Sequence, residues 1–406
     1  MKLSRIAYRN IGRNKRRSIL SGIAIGVAAM AIVILFSLLN GMQADLATNL
    51  QDFYSGMVRI RHAEYDENEL LSPLHLRVED ADERVEELEA MPEVSAVSPR
   101  ISFPASIYEN GETYSARGMG VDMVREVDYA RLDGYLIDGT LPAPGAREVV
   151  LGYILADRLG VGVGDQLTIL TLTMRRSSNA MTFEVAGTVR LPVEGLNTQL
   201  VMAPIDTVRE LVRMEDAASE ILVKLDNERD APAVAEALRA SWDGGLRIVT
   251  WDEIPSSYAF IQWARNIYNG IAAFFFVLGS TVIITTTMIV IFERMREIGT
   301  IAAMGMTGNE IVRLFFLESL FIALIAAAVG VAVGSGFSLL LGEMGIDLGE
   351  SLEGIDIELG ANIYPQWNPV TAAIVYVYSV AITALATYFP SRRAAKIEPV
   401  EALHTV

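Results

Sequence analysis

The sequence predicts a membrane protein with four transmembrane α-helices and a large mixed α/β extracytoplasmic domain between the first and second helices. Three observations predict it. Four charge-free apolar runs are each long enough to cross a bilayer. The stretch between the first two alternates short strand and helix patterns, and Lys and Arg gather on one side of the runs.

A spanning helix needs about 20 largely apolar residues to cross a hydrocarbon core of about 30 Å. Runs of that length lie between Arg17 and Asp45, between Arg265 and Glu293, between Glu318 and Glu343, and from Pro369 to Phe389. With them the 406-residue chain is 51% apolar and has a mean hydropathy of +0.33, high for a soluble protein. The first run continues from Ser18 to Leu39 with no persuasive small-residue cleavage site, so it reads as a retained anchor rather than a signal peptide.

Cytoplasmic flanks of membrane helices carry the positive excess. Lys2, Arg5, Arg9, Arg13, Lys15, Arg16 and Arg17 precede the first run with no acidic residue among them, which places the N-terminus in the cytosol. Four crossings return the C-terminus to that side, where Arg392, Arg393 and Lys396 lie. Glu343, Asp347, Glu350, Glu353, Asp356 and Glu358 then fall in an outer loop. The expected order is an amphipathic cytosolic helix over 1–17, the first span at 18–40, the extracytoplasmic domain over 41–265 and the second span at 266–292. A cytosolic helix and corner follow over 293–313, then the third span at 314–341, an acidic outer loop over 342–369, the fourth span at 370–389 and a cytosolic tail over 390–406.

Residues 41–265 hold 38 acidic and 20 basic side chains, a net −18. Such a surface does not suit nucleic acid, whose binders cluster Lys and Arg against phosphates. With no Cys there is no disulfide, no acylation on Cys and no thiolate metal site. The three His residues, His62, His75 and His404, show no metal-ligand spacing, and no hydrolase constellation stands out. The phosphate-loop motif requires Gly-Lys, which the chain lacks, so ATP must be bound by another protein.

Within 41–265, Met57 to His62 alternates like a strand and Val78 to Met91 reads as an acidic surface helix. Asn110-Gly111 is a two-residue hairpin signal, because both residues accept positive φ. A second hairpin is expected at 167–189 with its turn over Met174 to Met181, and helices are expected at 148–159, 205–214 and 230–241. In the spans, Gly22 and Gly26 form a small-xxx-small pair, and Gly330, Gly334 and Gly336 read as helix contacts. Thr285, Thr286 and Thr287 read as packing or backbone-bonded residues rather than a path, and Glu318 as a snorkelling or helix-end residue.

The most informative stretch is FERMREIGTIAAMGMTGNEIVRLFFLESL, residues 292–320. Arg294 to Met304 reads as a short helix with Ile298, Ile301 and Ala302 on one side, ended by Gly305 in a left-handed turn. Thr307-x-x-Glu310 then opens the next helix as a capping box. Two helices therefore meet at a sharp cytosolic corner, which is either a lever for a cytosolic partner or an ordinary connector.

ER-x-REIG-x5-G followed by Glu318-Ser319 resembles the signature of the FtsX-like, MacB-type family of ABC transporter permeases. AYRNIGRNKRRS, AREVVLGYILADRLGVGVGDQLTIL and FPSRRAAKIEPVEAL match in the same order, so the resemblance covers nearly the whole chain. It implies a domain like the MacB periplasmic core, a second permease copy or paralogue, and a dimer of separate ABC ATPase subunits that binds ATP and Mg. No cofactor is implied in this chain itself. It also implies that the helix over 294–305 couples to the ATPase through Arg294, Arg296, Glu297, Ile298, Gly299, Ile301, Ala302, Met304 and Gly305.

Asn40, Gly41, Val58, Ile60 and the segment NIYPQWNP look most like the LolC/LolE lipoprotein-releasing branch, in which Asn-Gly ends the first span. That resemblance implies an inner-membrane protein releasing lipoproteins, with acyl chains near Phe36, Leu39, Asn40, Met42, Ile267 and Phe274. Membrane lipid is then a partner, and a periplasmic lipoprotein carrier is a further one. The short turn at 174–181 departs from the extended hairpin of that branch. A MacB-like efflux or mechanotransmission permease, and an FtsX-like regulator of an outer hydrolase, are the alternatives.

Overall fold

The computed structural model describes residues 2–13, 15–109, 111–242, 245–347 and 362–394. Asn110, the acidic residues Glu350, Glu353, Asp356 and Glu358, and tail residues Lys396 and His404 lie outside them. The helices are α1 Lys2–Arg13, α2 Lys15–Leu50, α3 Ala81–Glu89, α4 Met123–Ala130, α5 Tyr153–Leu159, α6 Glu194–Asn197, α7 Ile205–Val212, α8 Ala231–Ser241, α9 Pro255–Phe292, α10 Met295–Ala303, α11 Gly308–Met344 and α12 Pro369–Ala394. The strands are β1 Val58–His62, β2 Val78–Glu79, β3 Val94–Glu109, β4 Glu112–Val121, β5 Leu136–Gly139, β6 Glu148–Gly152, β7 Gln166–Leu172, β8 Ser178–Val189, β9 Leu200–Pro204, β10 Ala217–Ala218, β11 Glu220–Leu225, β12 Leu246–Thr250, β13 Ile346–Asp347 and β14 Asn362–Ile363. Asp45–Trp263 folds as one unit, and the long helices with α1 and α10 as another.

In the α/β unit, β3 is the spine. Its first half pairs with β11, beyond which lie β1 and β12, and its second half pairs with β4. From β4 the pairing runs through β9, β6 and β8 to β7, and β7 returns to β3, closing six strands into a ring. Closure leaves those strands without a free edge. Phe103, Ile107, Leu151, Ile169, Phe183 and Val201 fill the ring, and Gly118 is required there, since a Cβ on it would lie 2.2 Å from the Phe103 ring. A second core lies where α3 and α8 cover β1, β11 and β12, with Val85, Leu88, Val234 and Leu238 fully or almost fully buried.

Two expectations for this unit need correction. Residues 148–152 are not the start of a helix: Glu148–Gly152 is β6, with Val149, Val150 and Leu151 buried. It pairs in parallel with β8 and is covered on both faces, so it carries a continuous apolar run rather than alternation. The turn of the second hairpin is also tighter than 174–181. Leu172 pairs with Ser178, which leaves Thr173–Ser177, with Arg176 at φ +58° and Thr173 Oγ1 2.8 Å from Ser177 Oγ. The first hairpin has the expected register, Glu109 opposite Glu112, with Gly111 at φ +85°.

In the second unit, α2, α9, α11 and α12 are each long and apolar enough to cross a membrane. Little polar chemistry holds them. Small residues let α2 and α11 approach: a Cβ on Gly330 would lie 2.1 Å from Gly26 O, and one on Gly334 2.9 Å from Met30 O. Gly336 does not belong to this seam, because a Cβ there would meet no atom within 4 Å. Phe276 of α9 stacks edge-on with both Phe36 of α2, at 5.0 Å, and Tyr378 of α12, at 4.4 Å. Thr285, Thr286 and Thr287 each donate to the carbonyl four residues back in their own helix.

Asn40-Gly41 does not end the first helix, which runs on to Leu50. Gly41 is instead a close-approach point: a Cβ there would lie 2.2 Å from Tyr364 O, and Gln366 N donates to Ser37 O at 2.8 Å. Gly330→Val should destabilise the bundle by about 1–3 kcal/mol through overpacking, whereas Gly336→Ala should be neutral or stabilising by up to about 1 kcal/mol. Thermal unfolding in detergent distinguishes them, and equal effects would contradict the seam.

Candidate functional site

The corner between α9 and α11 is built by two local signals. Gly305 at φ +95° closes α10, with its N–H donating to Ala302 O at 3.0 Å and that of Met306 to Ile301 O. Thr307 and Glu310 form the capping box that starts α11, with Thr307 N donating to Glu310 Oε2 at 3.0 Å. The chain therefore reverses within a few residues.

α10 has two unlike faces. Ile298 and Gly299 are buried, and Met295, Ile301 and Ala302 join Ile298 against Ile311 and Phe315 of α11. Arg296, Glu297, Thr300, Gly305 and Met304, the last 76% exposed, lie on the open side. Of the nine residues expected to couple, Arg296, Glu297, Met304 and Gly305 are accessible to another protein. Ile298 and Gly299 are not; they fasten α10 to the bundle.

Arg294, just before α10, is buried at 5% exposure and faces Glu318 of α11, itself 2% exposed, with Nη1 and Oε1 2.5 Å apart. The guanidinium also lies 5.5 Å over the Phe315 ring. Glu318 is thus no snorkelling residue but half of a buried ion pair. A charge inside a membrane helix needs a partner, and that rule could have pointed from Glu318 to a cation at the neighbouring helix end. Ser21, Thr286, Thr287, Ser319 and Thr383, with Ile25, Val290, Ile291 and Ile322, line a small cavity of about 30 Å³ beside the pair.

In the α/β unit, the end of α2 is held by a second buried charge. α2 passes into a π-turn over Gln51–Ser55, and Arg100, fully buried, donates from Nη2 to Asp52 O at 2.7 Å and from Nη1 to Phe53 O at 3.3 Å. Glu126 balances it at 2.5 Å and also accepts from Ser98 Oγ. Burial alone would lower the Arg100 pKa, but Glu126 beside it raises it overall. Lys224 Nζ reaches Asp52 Oδ1 and Tyr129 O, both at 2.7 Å, and burial pushes the Tyr129 hydroxyl well above its usual value. Sequence patterns did not single out Arg100, Glu126 or Lys224, because their partners are distant along the chain.

The six residues expected near acyl chains do not converge within one chain. Phe36 stacks on Phe276 and Leu39 is 6% exposed, whereas Ile267 and Phe274 face outward at 41% and 59%. Met42 is half-buried, and the Asn40 side-chain nitrogen is buried without a hydrogen-bond partner among the described residues.

Glu318→Ala leaves Arg294 as an unpaired buried charge and should cost about 3–5 kcal/mol, while joint replacement of both by Leu or Met should recover most of it. Denaturation in detergent measures this, and a stable single variant would rule out the pair as a structural element.

Comparison with known proteins fits this arrangement. The family model described as the MacB-like periplasmic core domain matches residues 19–241, and that of the FtsX-like permease C-terminal region matches 269–399. The lipoprotein-releasing system transmembrane protein LolC of Neisseria meningitidis is 23% identical over 95% of this chain and 92% of its own length. The macrolide export ATP-binding/permease protein MacB of Vibrio parahaemolyticus is also 23% identical, over 94% of this chain and 56% of its own. Among solved structures, the periplasmic region of MacB from Actinobacillus actinomycetemcomitans aligns with 52% of this chain and 96% of its own, at 15% identity and a TM-score of 0.37. With more than half its length matched by the first of these family models, and an FtsX-like region after it, the chain belongs to the MacB/FtsX-type family of ABC transporter permeases.

Proposed function

We propose that this permease works with a dimer of separate ATPase subunits that bind ATP and Mg and press on the open face of α10. We propose further that the load it moves is a lipoprotein leaving the inner membrane of a bacterium. In this reading both termini are cytosolic and the α/β domain is extracytoplasmic. The observation that carries it is the continuity of α2, one helix from Lys15 to Leu50 whose final π-turn is held by Arg100 and Lys224. A push on a continuous helix is transmitted along it rather than absorbed in a loop.

Lipoprotein release is favoured over efflux by coverage: the LolC relative aligns over 92% of its own length and the MacB relative over 56%. Ile267 and Phe274 face outward, as a wall completed by a second permease copy or paralogue would need, with Phe36, Leu39, Asn40 and Met42 on the neighbouring helix. The turn at Thr173–Ser177 is small, so a periplasmic carrier is not part of the proposal. The efflux or mechanotransmission reading is supported by the MacB-like core match, and the hydrolase-regulator reading by the FtsX-like match.

Depletion of the protein should leave lipoproteins in the inner membrane on fractionation. Normal lipoprotein sorting with altered export of toxic compounds would overturn release in favour of efflux. Arg296→Glu and Met304→Asp should lower transport-coupled ATP hydrolysis by about tenfold, corresponding to about 1.4 kcal/mol, while the assembly still copurifies. Wild-type coupling in both variants would remove α10 from the ATPase contact.

A further inference from the structure

A cleft of about 330 Å³ opens in the α/β domain, and its lining joins residues that finish α2 to residues that begin α9. Strand alternation puts Arg59 and Arg61 of β1 on one face, and both line this cleft, as does Arg117 of β4. The two β1 arginines are not equally satisfied. Arg61 Nε donates to Glu220 Oε2 at 2.8 Å, and its Nη1 reaches Asp66 Oδ1 at 3.0 Å and Glu69 Oε1 at 2.9 Å. Arg59, 5% exposed, places Nη2 on that same Asp66 oxygen at 3.1 Å, and its Nε is buried with no hydrogen-bond partner among the described residues. Arg117, half-buried, makes no ion pair or side-chain hydrogen bond among the described residues.

The charge balance follows. Glu69 and Glu220 of the lining are both engaged by Arg61, and Asp66 is shared by Arg59 and Arg61, which leaves Arg117 with no ion pair among the described residues. Burial, then the like charge of Arg61, lowers the Arg59 pKa against the opposing pull of Glu220, Asp66 and Glu69, a balance that an added anion would shift back. The three arginines of the lining face Glu69, Glu220 and the bridging Asp66, so the cleft carries no acidic excess although residues 41–265 are net −18. Guanidinium groups match oxyanions through paired N–H donors. The rest of the lining is apolar or hydroxylic: Phe53, Tyr54, Leu196 and Phe260, with Ser256 and Ser257.

We propose that this cleft binds the phosphodiester of an anionic phospholipid, with the phosphate on Arg59 and Arg117 and the adjoining apolar part against Phe53 and Phe260. The apolar lining favours a lipid headgroup over free phosphate. The proposal stands whether or not the load is a lipoprotein.

The test uses the full chain in nonionic detergent, titrated calorimetrically with dihexanoyl phosphatidylglycerol below its micelle concentration and, separately, with inorganic phosphate. Saturable binding of the lipid, weakened at least tenfold in Arg117→Gln and in Arg59→Gln, is expected, with phosphate binding far more weakly. Arg117 has no ion pair or side-chain hydrogen bond among the described residues to lose, so an unchanged melting temperature in Arg117→Gln keeps the result interpretable if Arg59→Gln unfolds. Undiminished lipid binding in Arg117→Gln, absence of saturable binding, or phosphate binding as tightly as the lipid would each overturn the proposal.

Discussion

A helix that ends inside a folded domain leaves its last carbonyls without intrahelical donors, and α2 with its π-turn meets that constraint chiefly through one side chain, with Tyr129 Oη donating to Gln51 O and Ser55 Oγ to Leu50 O beside it. Arg100 supplies donors to Asp52 O and Phe53 O, and Glu126 neutralises it in the same buried space. Its position on β3 is equally central. Arg100 pairs with Glu220 of β11 on one side and with Val121 of β4 on the other, where the spine passes from the open strands to the closed ring. The helix end, the open sheet and the ring are thus fixed at a single residue, and the lengthening of the helix into a π-turn brings its carbonyls to that place.

The helical unit follows a different logic. Its threonine hydroxyls turn back on their own helices, and its contacts are mostly apolar or backbone-to-backbone, as at Gly26 and Gly330, with Tyr378 Oη of α12 donating to Phe276 O of α9 at 2.7 Å. The buried Arg294–Glu318 ion pair lies at the corner where α9 gives way to α10. Ile298 and Phe315 beside it make the base of α10 part of the bundle core. Movement of α10 is therefore movement of the bundle, while Arg296 and Met304 on its open side remain free of the core.

Much of this was legible in the sequence because it rests on local or periodic signals. Spans follow from apolar length, the α10 stop from Gly305 and the α11 start from Thr307 and Glu310, all of which need only neighbours in the chain. Val149 to Leu151 misled because an apolar run covered on both faces lacks the alternation that marks a strand. The ion pairs of Arg100 and Arg294 escaped for a different reason. Their partners are 26 and 24 residues away and are selected by the fold, not by spacing.

Gly41 also restricts how the first span can move within its own unit. The segment Tyr364–Gln366 lies against the bare backbone there and is bonded to Ser37 O. Successive side chains of an α-helix are about 100° apart around the axis. Spinning α2 by one such step would bring Asn40 or Met42 to the place that only a hydrogen fits. Axial rotation is blocked, while sliding or tilting together with the segment is not. The first span behaves as a keyed shaft, able to carry thrust but not torque.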